Sequence, residues 1–407
     1  MDRISKLIEG QAKGSPLAQE FYSDPEIFQR DIDRIHLSHW LCVGHESRIP
    51  KRGDWFRFDI AEESIVVARG RDDEIRALVN VCQHRGSRVC YEESGNGRVL
   101  VCPYHAWTYD LDGRLRSTRH MGEGFDTSAH RLPQIHVRLL EGLIFVCFAE
   151  DPPGLEDAEA VLRASLGRYG WADARVAHRA TYAVDANWKL ATENYQECYH
   201  CTPAHPEFSR LHATEKPDDE VADLRAEAAE RARAIGIEIS EVNHWPYGAP
   251  GQEMVDASYD AIYSGSVTGS EDGQPVAPLM GDFTEYDGGF SYADVGPASF
   301  FLAYPDHGLM YLFIPIGPQK AEMEIVWLVA KDAQEGVDYD RDKLTWLWDV
   351  TSVADKLIID QNQQGVNSRY YDPSAYGPME AQTRAFTEWY LEAIAATPDS
   401  GSATHEP

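Results

Sequence analysis

The chain has 407 residues, of which 43% are hydrophobic, and it carries a formal net charge of −30 at pH 7. This length allows two or three domains with a sizeable core. So acidic a chain repels nucleic acid and anionic membrane surfaces, and we expect neither as a partner. The sequence has no apolar run long enough to cross a bilayer and no apolar signal stretch at its start, which favours a cytoplasmic protein. Seven cysteines are too few, and odd in number, for a disulfide framework.

The first part of the chain is predicted as a helical segment followed by a small all-β domain. Apolar side chains recur at helical spacing over 17–40, so residues 1–40 are assigned to the helical segment. Over residues 41–160, short β-type runs are broken by Gly, Pro and Asp. The clearest of these runs are SIVVARG, IRALVNV, GRVLVCP, HAWTYDLDG and GLIFVCFA.

Residues 161–396 mix helical and strand patterns. NWKLATENYQECYHC predicts a helix with Asn187 as its N-cap and Pro203 at its end. Strands are predicted for ASFFLAYP, GLMYLFIPI and MEIVWLVAK, which favours an antiparallel sheet flanked by helices. The remaining helices are predicted for LEDAEAVLRASLGRYG, 341–365 and 378–395.

Two stretches lack a clear pattern of this kind. The acidic, Gly- and Ser-rich residues 206–295, with one helix near 221–235, are predicted as a lid or insertion, and residues 397–407 as a disordered tail. The fold class is therefore α+β, with an N-terminal all-β domain and a C-terminal domain built on an antiparallel sheet.

Two Cys-His pairs stand out in the all-β region. Cys82-x-His84 is followed by Cys102-x2-His105. Four such ligands fit a structural zinc, or a [2Fe–2S] cluster with two Cys on one iron and two His on the other, the Rieske arrangement. Zinc fingers keep their Cys together and their His together on a helix. Here each pair is mixed and lies among strands, which favours the cluster, with Cys90 as the expected non-ligand.

The residues around these pairs resemble a known family. With Arg85-Gly86 after the first pair and Trp107 after the second, the region resembles the Rieske domain of the Rieske non-haem iron oxygenases. The resemblance covers nearly the whole chain: FYSDPEIFQRDIDRIHLSHWLCVGHESRIP, NVCQHRGSRVC, YHAWTYDLDGRL, NWKLATENYQECYHC and TRAFTEWYL look like the betaine, stachydrine and carnitine oxygenases. It implies a [2Fe–2S] cluster, a mononuclear Fe(II) and O2-dependent hydroxylation.

The second metal motif is ENYQECYHCTPAH. On a continuous helix Glu193, Glu197 and His200 would share one face, and His205 follows past Pro203, where the chain can turn back to the same centre. Two histidines and a carboxylate form a facial triad that leaves positions on Fe(II) open. The family pattern, carboxylate-Asn-x2-acid-x2-His-x4-His, implies His200 and His205 as iron ligands.

A third, carboxylate ligand must come from elsewhere in the chain. VTSVADKLIIDQNQQGVNSRYY offers Asp355 and Asp360, and counting back from the QQG as in the family implies Asp355, with Asp360 as the alternative. The resemblance further implies a homotrimer in which the carboxylate of Glu197 joins the two metal sites. It would hydrogen-bond His200 and, on the cluster of a neighbouring subunit, His105.

The resemblance also implies partners and a class of substrate. We find no dinucleotide-binding G-x-G-x-x-G after a strand, so electrons from NAD(P)H must come from a separate flavin and iron–sulfur reductase. Glu at the position of Glu197 occurs in the branch acting on quaternary ammonium compounds. Hydroxylation of an N-methyl group would give an unstable hemiaminal that loses formaldehyde.

Aromatic side chains are the expected contacts of such a substrate, because a quaternary ammonium group has no N–H to donate. The candidate cage residues are Tyr195, Phe301, Tyr304, Tyr311 and Phe313. Two alternatives stay open. One is an aromatic-ring dihydroxylating α subunit on the same scaffold. The other is a non-enzymatic Rieske electron carrier, which His200 and His205 argue against.

Overall fold

The structure, a computed structural model, describes residues 3–212, 216–239, 251–263 and 265–395. The predicted tail and part of the predicted lid lie outside these ranges. Within them, no helix combines the length and the apolar character that a membrane span requires.

The chain begins with three short helices. These are α1 (Arg3–Gly10), α2 (Gln19–Ser23) and α3 (Pro25–Asp31), the last of which continues into a π-helical turn at Ile32–His36. The single helix predicted over residues 17–40 is therefore wrong. The chain breaks at Asp24, whose carboxylate accepts backbone amides of the next turn, and Pro25 starts a new helix.

The predicted all-β region contains ten strands. These are β1 (Leu41–His45), β2 (Asp54–Ile60), β3 (Glu63–Arg69), β4 (Ile75–Val79), β5 (Ser94–Asn96), β6 (Val99–Val101), β7 (Thr108–Asp110), β8 (Leu115–Ser117), β9 (Gln134–Leu140) and β10 (Leu143–Cys147). They form a seven-stranded antiparallel sheet of order β1-β10-β9-β4-β3-β2-β5 and a three-stranded sheet of order β6-β7-β8. The small sheet leads directly into the loop of the second Cys-His pair.

The rest of the described chain is one antiparallel sheet with helices. Its elements are α4 (Glu156–Leu166), β11 (Arg175–Val184), α5 (Trp188–Tyr195), α6 (Cys201–Ala204), α7 (Pro206–Leu211), α8 (Asp218–Ala234), β12 (Val255–Ala261), β13 (Gly289–Val295), β14 (Ser299–Ala303), β15 (Gly308–Gly317), β16 (Lys320–Val329), α9 (Arg341–Val366) and α10 (Ala381–Ala395). The strand order is β11-β16-β15-β14-β13-β12. The α+β class is confirmed.

Strands β12 and β13 come from the stretch 206–295 that was predicted as a lid, so that prediction is wrong for this part. Their Asp and Ser residues gave the segment the composition of a loop. In the sheet several of these polar groups have partners elsewhere in the fold, as where the buried Ser291 hydroxyl accepts a hydrogen bond from Arg168 at 2.6 Å. Buried polar groups with hydrogen bonds are compatible with a strand, and composition does not reveal this.

The two faces of the large sheet pack against different parts of the chain. Phe301 points toward the N-terminal sheets, with its ring 6.3 Å from that of Phe145 on β10. Phe300, the preceding residue, points to the opposite face, where its ring lies 4.8 Å from that of Tyr195 on α5. Successive residues of a strand face opposite sides. The face that carries Phe300 is the one that α5 and α9 cover.

A fully buried ion pair between Asp31 and Lys189 fixes the first turn of α5. Asp31 also accepts hydrogen bonds from Trp188 Nε1 at 3.1 Å and from the Tyr390 hydroxyl at 2.8 Å. The predicted N-cap is confirmed, since the Asn187 side chain accepts the Lys189 amide at 3.0 Å. The N-terminal helices therefore pack on the helices of the second domain.

Candidate metal centres

The loops that carry the two Cys-His pairs share one pattern of backbone hydrogen bonds. The amide four positions after each cysteine donates to the cysteine carbonyl at 2.9 Å, from Gly86 to Cys82 and from Ala106 to Cys102. Each cysteine amide donates in turn to the carbonyl five positions on, at 2.8 Å. Both Gly86 (φ 77°) and Ala106 (φ 57°) are left-handed. That conformation costs Ala about 1–2 kcal/mol, so the surrounding loop must impose it.

These matched loops bring the four predicted cluster ligands to one end of the small sheet. The Nδ1 atoms of His84 and His105 face each other at 3.1 Å. Cys82 and Cys102 are buried beneath them, and Trp107 stacks on His84 with ring centroids 4.8 Å apart. Two facing imidazole nitrogens above two buried thiols fit a [2Fe–2S] cluster with His on the outer iron and Cys on the inner one.

The two histidines of the second metal motif meet at Asp355. Its Oδ1 lies 3.2 Å from Nε2 of His200 and 3.2 Å from Nε2 of His205. Asp355 comes from the middle of α9, whereas the two histidines flank the short helix α6. Asp360, one and a half turns further along α9, instead accepts the backbone amide of Asp185 at 2.8 Å. The structure brings Asp355, not Asp360, to the two histidines.

Hydrogen bonds at this centre shift the pKa of His200 and the pKa of Asp355. Burial lowers the pKa of His200, but hydrogen bonds with Asp355 and Glu197 outweigh it and raise this pKa to about 9. Burial raises the pKa of Asp355, yet the hydrogen bonds from the two imidazoles hold it below its usual value. Two imidazoles and one carboxylate that meet at one point suit Fe(II), whose binding would displace the proton from His200.

Cys201 is a competing ligand candidate, because its sulfur lies within 4.8 Å of the nitrogens of His200 and His205. It is bonded to Cys198 in a disulfide, so its thiolate is not free to bind a metal. The carboxylate of Asp355 is the better third ligand. The sequence predicted no disulfide here, and the Cys-x-x-Cys spacing was a signal for this local bridge.

The metal segment is not one continuous helix, so the shared helical face predicted for Glu193, Glu197 and His200 is wrong. The carboxylate of Glu197 accepts two backbone amides of the following turn, including that of His200 at 3.2 Å. Such side-chain acceptors replace helical hydrogen bonds and end α5 early. Pro203 lies inside α6 rather than ending a helix. Glu197 Oε1 also lies 2.6 Å from His200 Nδ1, which leaves Nε2 facing Asp355.

A cavity of about 420 Å³ opens beside His200, His205 and Asp355. Its aromatic walls are Tyr195, Phe208, Phe290, Tyr292, Tyr311 and Trp348. Four of these were not predicted, because they come from separate elements. Two carried a sequence signal: Trp348 precedes Asp355 by two turns of α9 and so shares its face, and Phe208 closely follows His205.

Of the five predicted cage residues, two line this cavity. They are Tyr195 and Tyr311. Phe313 packs beside Tyr195 with ring centroids 5.7 Å apart, outside the lining. The hydroxyl of Tyr304 contacts His212 Nε2 at 2.6 Å, and His212 lies between it and the cavity wall. Phe301 lies on the opposite face of the sheet, so its prediction as a cage residue is wrong.

Two family models match the chain. The Rieske [2Fe-2S] domain matches residues 39–136, and the ring hydroxylating alpha subunit (catalytic domain) matches residues 171–396. The glycine betaine monooxygenase oxygenase subunit of Chromohalobacter salexigens is 35% identical over 413 residues, which cover 98% of this chain and 90% of that protein.

Two solved structures share the fold. One is a quaternary ammonium Rieske monooxygenase, described as giving insights into carnitine oxidation by gut microbiota and inter-subunit electron transfer. Its TM-score is 0.71 at 22% identity, covering 96% of this chain and 98% of that one. The other is naphthalene 1,2-dioxygenase from Rhodococcus sp. bound to indole, with a TM-score of 0.70 at 21% identity over 98% and 100% of the two chains. The fold alone therefore does not separate these two classes of substrate.

The fold and the two sites define an oxygenase that combines a Rieske [2Fe–2S] cluster with a mononuclear iron. The chain belongs to the Rieske-type ring-hydroxylating oxygenase α-subunit family. It is an oxidoreductase, the oxygenase subunit of a multicomponent system that needs a reductase and binds a small molecule. The structural-zinc interpretation and the simple electron carrier are thereby excluded.

The cluster ligands can be tested against a cysteine in the same core. Cys82→Ala and His84→Ala should abolish the Rieske EPR signal and visible absorption, because each iron needs two protein ligands. Cys90→Ala should keep both, since Cys90 lies outside the two matched loops that carry the Cys-His pairs. Stoichiometric zinc without acid-labile sulfide in the wild type would contradict the assignment.

The iron ligand on α9 can be tested with a matched pair. Asp355→Asn should lose the mononuclear iron and all turnover while the cluster spectrum stays intact, because an amide is a poor replacement for the anionic ligand. Asp360→Asn, five residues along the same helix, should keep its iron. Metal analysis beside the EPR spectrum measures both. Full iron in Asp355→Asn together with an iron-free Asp360→Asn would reverse the assignment.

Proposed function

We propose that the chain is a terminal oxygenase that hydroxylates an N-methyl group of a quaternary ammonium compound and thereby removes that group. The observation that carries the proposal is the aromatic cavity opening directly beside His200, His205 and Asp355. Aromatic faces attract such a cation by about 0.5–2 kcal/mol each, without any hydrogen bond. The glycine betaine relative supports the same substrate class.

The charges around the cavity favour a cation as well. Glu197, Asp260 and Asp355 line it, and among its described lining residues there is no Lys or Arg. Asp260 is paired with Arg225 of α8, outside the lining, so part of its charge is neutralised. Asp355 and Glu197 would balance the charge of a bound Fe(II), and since no described Lys or Arg lines the cavity, no basic side chain there repels a positively charged substrate.

The proposed reaction assigns a task to each group. One O2, two electrons, two protons and N–CH3 give N–CH2OH and water. The C–N bond of the hydroxymethyl product then breaks to release formaldehyde and a proton, leaving a tertiary amine. When bound, Fe(II) supplies O2 activation with electrons from the cluster. His200, His205 and Asp355 would hold it, Glu197 would fix the His200 ring, and the aromatic walls would orient the methyl group and exclude water.

The partners belong to the same proposal: a homotrimer, and a separate flavin and iron–sulfur reductase that takes electrons from NAD(P)H. In a single chain, an aromatic side chain beside each metal centre is exposed. Tyr104, next to His105, is 53% exposed, and Tyr199, next to His200, is 64% exposed. Large exposed aromatic side chains are typical of interaction surfaces. This supports contact between the cluster of one subunit and the Glu197 turn of its neighbour.

Glu197 can be tested for a role between the two metals. Glu197→Ala should keep the cluster and slow electron transfer from the reduced cluster to the iron site by about 10- to 100-fold, the usual effect of removing a hydrogen-bond partner of a metal-ligating histidine. Glu197→Asp should be partly active, because it keeps both acceptor oxygens. Cluster reoxidation in a single turnover measures the rate. A wild-type rate in Glu197→Ala would show that no such bridge is needed.

A second candidate is dihydroxylation of an aromatic ring, which the aromatic walls and the naphthalene dioxygenase fold also support. The two reactions differ in product, formaldehyde against a cis-diol. A panel of glycine betaine, stachydrine, carnitine, choline and neutral aromatics, scored by coupled oxygen uptake and both products, separates them. Turnover confined to the neutral aromatics would favour the second candidate.

If the aromatic side chains bind the ammonium group, removing one ring should reduce the preference for the charged substrate over an uncharged molecule of the same shape. Tyr195→Leu and Trp348→Leu should each weaken binding of the accepted ammonium substrate by about 2- to 30-fold, which corresponds to about 0.5–2 kcal/mol per aromatic face. They should weaken its uncharged tert-butyl isostere much less. Binding is measured by calorimetry. Phe301→Leu, on the far side of the sheet, is the control and should leave the ratio of the two affinities unchanged. Equal losses for cation and isostere would rule out the cage.

A further inference from the structure

A second cavity, of about 350 Å³, lies beside the same metal centre. The two cavities share three lining residues, Asn194, Glu197 and His200, and otherwise differ. The first is walled by aromatic rings. The second combines apolar side chains with carboxyl, hydroxyl and amide groups from α2, α5, α9, α10 and the segment before α10, and is the more polar of the two. The turn that carries Glu197 and His200 thus separates a less polar space from a more polar one.

Glu193 is the notable group in the second cavity. The Tyr22 hydroxyl contacts both of its carboxylate oxygens at 3.0 Å. Within the described chain no cation lies within ion-pair distance of it, and Lys189, one turn earlier on α5, is paired with Asp31. Burial without a cation raises the pKa of Glu193 to about 8, although Tyr22 and Lys189 oppose the rise. The shift favours the protonated carboxyl near neutral pH.

The other titratable groups that face Glu193 behave differently. They are Tyr22, Tyr371, Tyr376, Tyr390 and Lys189, with Glu197, His200 and Glu380 on the same cavity walls. Burial raises the pKa of each of these tyrosines, so none ionises near neutral pH. The Tyr376 hydroxyl is buried and makes no well-formed hydrogen bond among the described residues, although the Thr387 side chain lies close enough to lower its pKa. Buried polar groups in a roomy site take water as their partner, so the cavity is suited to hold ordered water.

The proposed reaction requires two protons for each O2 reduced. We propose that the second cavity is the water-filled proton entry to the iron site, and that Glu193, supported by Tyr22, is the residue that holds and releases the proton there. The path passes the turn that both cavities share, where the Asn194 amide approaches His200 Nε2 at 3.4 Å. The inference rests on the oxygen chemistry of the proposed function, not on its substrate.

The test compares Glu193→Gln, which keeps the shape but has no acidic proton, with Tyr22→Phe and with Glu20→Gln on the exposed face of α2. Iron, sulfide and the cluster spectrum are measured first, to show that no metal is lost. Infrared titration of the wild type should show a protonated carboxylic acid at pH 7 that disappears above pH 8. Glu193→Gln should lack it.

The kinetic arm follows oxygen consumption and cluster reoxidation of the reduced enzyme against pH, with and without substrate. Because a raised pKa means that the proton is present below about 8, the wild-type rate should fall as pH rises through this value. Glu193→Gln should be slower by at least about tenfold and lose this pH dependence, since positioned proton transfer contributes roughly 10²–10⁴-fold. Tyr22→Phe should shift the apparent pKa upward, because its hydroxyl stabilises the carboxylate. Glu20→Gln should match the wild type.

Two outcomes would overturn the proton entry: no protonated carboxyl at pH 7, or a wild-type rate and pH profile in Glu193→Gln. Both are read from oxygen consumption or from the infrared spectrum and do not depend on which compound is hydroxylated. Failure of every quaternary ammonium substrate would therefore count against the proposed function alone.

Discussion

A buried carboxylate between two imidazoles is the arrangement on which the catalytic domain depends. Asp355 is held at 3.2 Å from both His200 and His205, deep between α9 and the sheet. Burying a charge is costly unless it is paired, so these groups stay together only if the elements that carry them are rigidly placed. α9 supplies 26 residues of continuous helix for this purpose, and the turn after α5 is fixed by Glu197 and by the disulfide at Cys198.

The same reasoning explains why the N-terminal segment packs on the second domain. Asp31 joins three helices by accepting bonds from Lys189, Trp188 and Tyr390, all inside the core. Loss of one partner of a buried pair leaves an uncompensated charge and costs about 3–5 kcal/mol. The start of α5 is therefore fixed relative to α3 and α10. The turn that carries Glu197 and His200 is held in place as well, because it lies only a few residues beyond the end of α5.

Features that depend on residues close together in the sequence could be predicted. Features that depend on contacts between distant parts of the chain could not. The Cys82-x-His84 and Cys102-x2-His105 pairs and the two histidines at 200 and 205 are local patterns, so spacing and family resemblance were enough to predict them. Phe301 failed because the pattern of a strand shows that neighbours face opposite sides but not which side meets α5. The early end of α5 depends on one carboxylate, Glu197, accepting backbone amides, which helical periodicity does not reveal. Strands β12 and β13 were missed because tertiary hydrogen bonds, not composition, accommodate their polar residues.

The position of one short turn also gives the active site its two-sided character. On one side of Glu197 and His200 the walls are largely aromatic, which suits a bulky cation. On the other side they are more polar, with a carboxyl whose pKa burial raises to about 8. Water in the substrate cavity would compete with the aromatic faces for the cation, whereas an oxygen reaction without protons would stall. Keeping the substrate and the proton source in different cavities, which meet at the metal-binding turn, leaves protons available while the aromatic cavity holds the substrate.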